Sequence, residues 1–362
     1  MSKLAKRIII AVVAVILAVV LVVGGYVAYV MLTYKRISDN VVLETEGTGS
    51  ETPLLIGEEY VVTTQNVGFG AYTADFTFFM DGGKESRARS KESVEKCIKQ
   101  AAETVNGTSP DFVFFQEVDL DSTRSFHVDQ KKLLDGYFDG DSSVKAINYD
   151  SAFLMWPLFK PHGKSVSSIV TYSKAKIKSA IRRSLPISSG LSKFLDLDRC
   201  YSVSRIDVAG GKELVLYNVH LSAYGNSDEI RTAQMTMLFA DMQAEYEKGN
   251  YCVCGGDFNH DFTGDSTQVL NGGGTTDFGW AQPFPAELFS NYGGLKRCVE
   301  YSSGKEEPTC RNCDVPYKEG NFTIIVDGFL VSENVTVTEL KNVQTGFEYS
   351  DHNPVSMKFL LN

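Results

Sequence analysis

Polar side chains that can bind a metal or move a proton follow short apolar runs at six places in this sequence. Carboxylate and amide oxygens of this kind suit Mg²⁺, Mn²⁺ or Ca²⁺ rather than zinc. Each place taken alone is more often a turn or cap, but their convergence would build a pocket of carboxylates, amides and imidazoles. The six places are Gln65-Asn66, Gln116-Glu117, Asn218-Val219-His220, Gly256-Asp257-Phe258-Asn259, Asp327 and Ser350-Asp351-His352.

These polar groups depend on strands that end just before them. Gly210-Gly211 predicts a hairpin turn between two of those strands. Because side chains at strand ends lie at the edge of a sheet, the pattern favours one edge that collects the polar groups. Apolar runs bounded by turn residues predict strands at 60–65, 112–115, 168–172, 201–208, 214–219, 251–254, 323–331 and 355–360.

Two amphipathic helices accompany the strands. In 87–105, Val94, Ile98 and Val105 recur at helical spacing. The methionine and aromatic stripe of 227–248 has the same period and indicates core packing rather than a cofactor site. Helices mixed with strands and long polar loops predict a mixed α/β or α+β domain.

The order of the polar motifs matches one family. The sequence resembles the endonuclease/exonuclease/phosphatase superfamily, the DNase I-like group that includes pancreatic deoxyribonuclease, apurinic endonucleases, neutral sphingomyelinases and inositol-polyphosphate 5-phosphatases. The resemblance spans about residues 60 to 360 and implies an α+β fold, a four-layer α/β/β/α sandwich with the site at one end. The motifs are Thr64-Gln65-Asn66, Phe115-Gln116-Glu117, Asn218-Val219-His220-Leu221, Gly256-Asp257-Phe258-Asn259, Ile325-Val326-Asp327 and Ser350-Asp351-His352.

The resemblance implies a divalent metal site. Asn66 and Glu117 correspond to the metal-binding pair, with Glu117 the principal ligand, and Asp351 resembles a further metal or water ligand. The implied ion is Mg²⁺, or Mn²⁺ or Ca²⁺. A cation held there would stabilise the negative charge that develops when a phosphoester is hydrolysed.

The resemblance also implies the catalytic groups. Asp257 and Asn259 correspond to the residues that position the attacking water and hold the scissile phosphate. His352 resembles the catalytic imidazole, and Asp327 the carboxylate that orients it. His220 resembles the second histidine of the nuclease and sphingomyelinase branches. A carboxylate bonded to an imidazole fixes its tautomer and favours the imidazolium.

A loop region between about residues 120 and 165 matches no single branch. It is rich in aromatic and basic residues, among them Arg124 and His162. Either it is a surface loop with some buried aromatics or it contacts substrate. Arg199, just before the strand at 201–208, is a further candidate for binding the substrate phosphate.

The N-terminus carries a candidate membrane anchor. Residues 8–32 contain no charge, and a helix of that length exceeds a hydrocarbon core of about 30 Å. A cleaved signal peptide is the alternative, but its apolar region is usually shorter. Basic residues in 1–7 favour a cytoplasmic N-terminus. We therefore expect a single-pass anchor in the cell membrane, a linker at 33–57 and an extracytoplasmic domain at 58–362.

Charge and cysteine content narrow the function classes. The net charge is −10, with every acidic residue after position 36, which disfavours tight sequence-independent binding of nucleic acid. The 7 cysteines include Cys252 and Cys254, expected in the core. Cys310 and Cys313 form a lone CxxC without an obvious fourth zinc ligand, which favours a disulfide or plain thiols.

These patterns predict a membrane-anchored, metal-dependent phosphoester hydrolase. A nuclease-like phosphodiesterase is the first expectation, and a sphingomyelinase-like lipid phosphodiesterase or phosphatase is the alternative. The substrate is then a nucleic acid, a lipid headgroup or a small phosphoester, and no protein partner follows from the sequence. A membrane-tethered binding module without catalysis is the alternative of another class.

Overall fold

Two seven-stranded mixed sheets form the centre of the fold. The computed structural model describes residues 2–188, 190, 193, 197–223, 228–272, 280 and 282–362. The helices in these ranges are α1 (Lys3–Thr33), α2 (Lys91–Gly107), α3 (Gln130–Asp135), α4 (Asp228–Glu247), α5 (Ser266–Leu270) and α6 (Leu288–Asn291). The strands are β1 (Val41–Val42), β2 (Thr45–Glu46), β3 (Glu59–Asn66), β4 (Phe112–Asp119), β5 (Ser142–Asp150), β6 (Val166–Ser173), β7 (Ser179–Ser184), β8 (Cys200–Val208), β9 (Lys212–His220), β10 (Tyr251–Asp257), β11 (His260–Asp261), β12 (Gln282–Pro283), β13 (Leu295–Arg297), β14 (Cys310–Arg311), β15 (Thr323–Ile324), β16 (Asp327–Ser332), β17 (Val335–Asn342) and β18 (Val355–Leu361).

The strand order shows how the sheets are built. The first sheet runs β1-β7-β8-β9-β10-β16-β13, and the second runs β17-β18-β3-β4-β6-β5-β2. The predicted hairpin at Gly210-Gly211 is present, because β8 and β9 pair in antiparallel with Val208 opposite Lys212. β3 pairs in parallel with β4, and β9 with β10.

Alternating side chains place the sheets face to face with helices outside. In β9, Leu214 and Leu216 join the core shared with Phe114 of the second sheet. The intervening Val215 and Tyr217 pack with α4 on the outer face of the first sheet. Helix α2 covers the outer face of the second sheet in the same way. The four-layer α/β/β/α sandwich and the α+β class are therefore confirmed.

The strand predictions miss strands that carry little apolar signal. Strand β7 reads SAIRRS, and β17 interleaves exposed polar residues with buried or half-buried ones. The segment expected as one strand at 323–331 is two strands, β15 and β16. It divides there because the carbonyls of Ile325 and Val326 accept hydrogen bonds from Phe262 and Phe258 instead of from a neighbouring strand.

Both predicted helices of the domain are present, but their ends differ from the predicted ones. Helix α2 begins at Lys91 instead of residue 87 because Ser90 caps it, accepting a hydrogen bond from the Ser93 N–H at 3.1 Å. Helix α4 occupies Asp228–Glu247 within the predicted 227–248, and Ser227 lies outside the described residues.

The segment expected as a linker, 33–57, lies along the domain. Its strand β1 pairs with β7, and β2 pairs with β5, so the segment adds one edge strand to each large sheet. Arg36 also forms an ion pair with Asp198 at 2.8 Å. The sequence does not reveal such pairing, because edge strands bury few apolar side chains and so leave no apolar period. The domain boundary at residue 58 stays a prediction.

Helix α1 and the cysteines complete the fold. Helix α1 is 31 residues long and apolar enough to cross a membrane. Only Val30 within it is buried. All 7 cysteines are buried free thiols, and Cys252 and Cys254 lie in the core as expected.

Candidate active site

The polar strand ends meet at one end of the sandwich. β3 and β4 pair Asn66 with Gln116 at their last shared position. β9 and β10 pair His220 with Asp257, and β16 begins with Asp327 opposite Asp257. The carboxyl ends of parallel strands lie at the same edge of a sheet. Both sheets therefore deliver polar side chains to one cleft of about 500 Å³.

The cleft brings the predicted site residues together. Asn66 and Asp327 are buried behind its surface and hydrogen-bonded to Asp257 and His352, respectively. Seven other predicted residues line the cleft: Glu117, Arg199, His220, Asp257, Asn259, Asp351 and His352. Their individual roles stay predictions, but their proximity is a property of the fold.

A bulge in β4 places Glu117. The pairing between β4 and β6 shifts register between Phe115 and Val118, and Glu117 has a positive φ of 57°. A residue other than glycine in this region is uncommon and is typical of sites where a side chain is re-aimed. The Glu117 carboxylate consequently lines the cleft, with Oε1 3.8 Å from His220 Nε2.

A glycine allows Asp257 to sit between two strands. Gly256 has a φ of +145°, and a Cβ there would lie 2.1 Å from the Val219 carbonyl oxygen. Asp257 then accepts a hydrogen bond from the Asn259 N–H at 2.9 Å and another from Asn66 Nδ2 at 3.0 Å. These donors hold the Asp257 carboxylate in one orientation toward the cleft.

His352 and Asp327 form a buried pair. His352 Nδ1 lies 2.8 Å from Asp327 Oδ2, which assigns a proton to Nδ1 and leaves Nε2 toward Asp257 Oδ2 at 3.8 Å. Thr309 Oγ1 supports the pair by accepting the Asp327 N–H at 3.1 Å. Burial alone would lower the pKa of His352, but the charge of Asp327 and of neighbouring acidic groups raises this pKa well above its ordinary value.

His220 is held as a neutral imidazole. Burial lowers its pKa well below the ordinary value, and the positive charge of Arg199 lowers it further. Its Nε2 lies 3.4 Å from Asp257 Oδ2, and its Nδ1 lies 3.4 Å from Asn148 Nδ2. A neutral ring that accepts from Asn148 donates from Nε2 toward the carboxylates.

The cluster of acidic groups fits a cation. Burial raises the pKa of Asp257 to about 6 and that of Asp351 to about 7. Asp327 Oδ1 is buried without a hydrogen-bond partner. Carboxylates crowded in this way favour a bound cation that compensates their charge. The residues present therefore suit a divalent metal ion.

Two different groups of ligands are available to this ion. Asp257, Asp327 and His352 offer ligand atoms within 4.8 Å of one another. The predicted ligands Glu117, Asn66 and Asp351 lie around the same cleft, and His352 Nδ1 is already engaged by Asp327. The assignment of the metal to the Glu117 group stays a prediction.

The sequence reading missed part of the cleft wall. Cys310, Arg311 and Asn312 line it, and Cys310 Sγ lies 3.6 Å from His352 Nε2. The spacing of the two cysteines predicts nothing about Arg311, which lies between them in the sequence. Arg311 donates to the Thr73 and Phe76 carbonyls, which fixes the wall.

Arg124 and His162 also lie in the cleft wall. Arg124 is buried in a two-pronged ion pair with Asp119, with bonds of 3.0 Å and 2.8 Å, and stacks over Phe69. Its charge is thus already compensated. The expectation that Arg124 faces a phosphate is therefore weakened.

Comparison with known proteins identifies the family. A model described as the endonuclease/exonuclease/phosphatase family matches residues 63–352. The chain belongs to this family, whose members hydrolyse phosphoester bonds. No curated protein matches the chain with significance.

Solved structures share the fold at low sequence identity. An endonuclease/exonuclease/phosphatase from Beutenbergia cavernae has a TM-score of 0.57 and 17% identity, with 84% of this chain and 72% of that chain covered. A family protein from Bacteroides thetaiotaomicron has a TM-score of 0.54 and 16% identity, over 84% and 96%. ANGEL2, a 2',3'-cyclic phosphatase, has a TM-score of 0.54 and 14% identity, over 89% and 99%. At these identities the similarity establishes the fold alone.

Proposed function

We propose that this chain is a divalent-metal-dependent phosphoester hydrolase tethered to a membrane by α1. The observation that carries the proposal is the convergence of Glu117, Asp257 and the His352–Asp327 pair on one cleft. Groups with raised and lowered pKa values in a concave site are typical of catalysis. A binding module without turnover has no need of such a pair.

Different side chains of the cleft have different roles in hydrolysis. Asp257 positions the attacking water, because its carboxylate is fixed by Asn66 and Asn259. His352 carries a proton on Nε2 toward a phosphoryl oxygen, and Asp327 holds the ring in that orientation. General acid–base assistance of this kind contributes about 10² to 10⁴ in rate.

Glu117, Asn66 and Asp351 are the proposed ligands of Mg²⁺, or of Mn²⁺ or Ca²⁺. When bound, such an ion supplies charge stabilisation to the phosphoryl oxygens. Arg199 lies in the same wall as a second positive group for the substrate phosphate. Neutral His220 directs its single Nε2–H toward Asp257 Oδ2 at 3.4 Å. Glu117 Oε1 lies 3.8 Å from the same nitrogen, which is too far for a hydrogen bond.

Two substrate classes follow from different observations. The family match and a neighbour that acts on a 2',3'-cyclic phosphate favour a nuclease-like phosphodiesterase. The aromatic wall of the cleft, which includes Phe69, Tyr72, Phe78 and Trp156, favours a lipid headgroup phosphoester. The net charge of −10 also disfavours a long nucleic-acid footprint.

A substrate panel tests the activity. Full-length protein in detergent micelles is incubated with bis(p-nitrophenyl) phosphate, p-nitrophenyl phosphate, plasmid DNA, RNA and sphingomyelin, each with Mg²⁺ and with EDTA. We expect hydrolysis of at least one phosphoester that EDTA abolishes. No hydrolysis on any substrate, together with no metal binding by calorimetry, would contradict the proposal and favour the binding module.

Fractionation tests the tether and its orientation. If α1 spans the membrane, the protein stays in the membrane pellet after alkaline carbonate extraction. Basic residues in 1–7 favour a cytoplasmic N-terminus, so protease added to intact cells should digest the domain. Release by carbonate contradicts the anchor, and protection of the domain in intact cells contradicts the orientation.

A further inference from the structure

An exposed apolar loop forms one side of the cleft. Residues 151–161, here called the apolar loop, follow β5 and expose five large apolar side chains. Phe159 is fully exposed, and Trp156 and Leu158 are 64% and 67% exposed. A contiguous apolar patch of this kind marks an interaction surface. The five side chains are Phe153, Met155, Trp156, Leu158 and Phe159.

Hydrogen bonds at its base hold the apolar loop in this conformation. The His162 N–H donates to the Trp156 carbonyl at 3.0 Å, and Leu154 and Gly163 exchange two backbone hydrogen bonds. His162 Nδ1 donates to the Ser86 carbonyl at 2.8 Å. The exposed side chains are therefore presented by an anchored backbone.

The apolar loop contacts the C-terminal part of α1. The Tyr26 hydroxyl donates to the Phe153 carbonyl at 3.1 Å and accepts the Met155 N–H at 3.2 Å. The Tyr29 hydroxyl accepts the Phe153 N–H at 3.1 Å. Val30 is buried, and most other apolar side chains of α1 are exposed.

The length of α1 sets the level of this contact relative to a bilayer. A hydrocarbon core of about 30 Å takes about 20 helical residues. Counted from Ile8, the first residue of the uncharged run, that length ends near Val27. Tyr26 and Tyr29 then lie at the membrane–water boundary, where tyrosine is enriched. The apolar loop is bonded to both, so it lies at the same level.

We propose that the apolar loop inserts into the interfacial layer of the bilayer that α1 spans, so that the cleft opens onto the membrane surface. This inference rests on the proposed membrane tether, and it further implies that the substrate comes from the membrane. Leu154, Met155 and Trp156 line the cleft together with Glu117 and His352. Amphipathic aromatic side chains are favoured at that layer. A phosphoester carried by a membrane lipid then reaches the metal ligands along an apolar wall.

Tryptophan quenching tests the insertion independently of catalysis. The chain has 2 tryptophans, the exposed Trp156 and the buried Trp280. Full-length protein is reconstituted into phosphatidylcholine vesicles with plain or brominated acyl chains. We expect bromine to quench wild-type emission and to leave Trp156→Phe, which retains Trp280, nearly unquenched. Equal emission of the wild type in both kinds of vesicle would overturn the proposal.

Activity on two kinds of substrate tests the consequence. Leu158→Ser/Phe159→Ser changes exposed side chains that do not line the cleft. Its rate on sphingomyelin in vesicles should fall about tenfold because binding scales with inserted apolar area. Its rate on soluble bis(p-nitrophenyl) phosphate should stay within about twofold, since the metal ligands are untouched. Equal losses on both substrates would contradict the membrane role.

A matched control lies at the opposite end of the sandwich. Leu55 and Ile56 are each 51% exposed, and their segment is bonded to Asp207 and Leu361, far from the polar strand ends. Leu55→Ser/Ile56→Ser should leave both rates unchanged. If the wild type hydrolyses DNA or RNA but no lipid, the proposal that the substrate is a membrane lipid is overturned. If it hydrolyses nothing while Trp156 is quenched, the proposed function fails and the insertion stands.

Discussion

Replacing Asp327 by asparagine isolates the charge that supports His352. The two side chains are buried and joined by a bond of 2.8 Å. Asparagine keeps the size of the side chain but removes the charge that favours the imidazolium and fixes its tautomer. Because general acid–base assistance is worth about 10² to 10⁴ in rate, kcat should fall by that factor. This corresponds to about 3 to 5 kcal/mol of transition-state stabilisation.

The assay is hydrolysis of bis(p-nitrophenyl) phosphate by full-length protein in detergent with saturating Mg²⁺. Because Asp327 does not touch the substrate in this account, KM should change much less than kcat. Asp207→Asn is the matched control, since Asp207 is a half-exposed carboxylate paired with Lys178 at 2.9 Å. A kcat of Asp327→Asn within about threefold of the wild type would refute a catalytic role for the pair.

Three further predictions follow from the same geometry. Glu117→Gln should weaken Mn²⁺ binding at least about tenfold in calorimetry, since an amide is a poorer ligand than a carboxylate; an unchanged affinity would place the metal elsewhere. Gly256→Ala should lower the free energy of unfolding by about 3 kcal/mol, because its Cβ would meet the Val219 carbonyl. Gly211→Ala, whose Cβ would have nothing within 4 Å, should lower it by about 1 kcal/mol. Equal thermal midpoints for the two variants would contradict this explanation. Burial, aided by the charge of Arg124, lowers the pKa of His162 to about 4, so the stability that neutral His162 provides is complete above pH 6.5 and is lost as the pH falls toward 4. Between pH 7.5 and pH 5, the free energy of unfolding of the wild type should therefore fall by about 2 kcal/mol more than that of His162→Gln. If denaturant unfolding of the two proteins depends on pH in the same way, the lowered pKa of His162 is contradicted.

Several residues of the candidate site were accessible from the sequence because they end an apolar strand. A strand that ends abruptly in polar residues presents them at a sheet edge, and His220 and Asp257, the last residues of β9 and β10, obey that rule. His352 was expected to follow a strand in the same way, but it lies in the connection between β17 and β18. The bulge that turns Glu117 into the cleft has no comparable signal, since it depends on pairing with β6. Arg311 was missed because its role comes from contacts with Thr73 and Phe76, over two hundred positions earlier.

The fold was predictable where buried strands leave an apolar pattern in the sequence. It was not predictable where strands bury few apolar side chains. Runs such as Leu214–Val219 alternate between two packed faces, which the sequence shows as a nearly continuous apolar run. Edge strands β1 and β2 bury no apolar side chains, so the sequence of residues 33–57 looked like a linker. The apolar loop was visible as aromatic residues, but its relation to α1 comes from contacts with Tyr26 and Tyr29, which the sequence does not show.

The most direct test of the account is the turnover of His352→Ala beside that of His127→Ala. Both variants remove an imidazole that lies near a carboxylate, but His127 pairs with Asp121 on the exposed surface, whereas His352 lines the cleft. With Mg²⁺ and a phosphoester that the wild type hydrolyses, His127→Ala should retain wild-type turnover. His352→Ala should stay folded and lose nearly all activity. Wild-type turnover by His352→Ala would show that the converging strand ends are not the catalytic site.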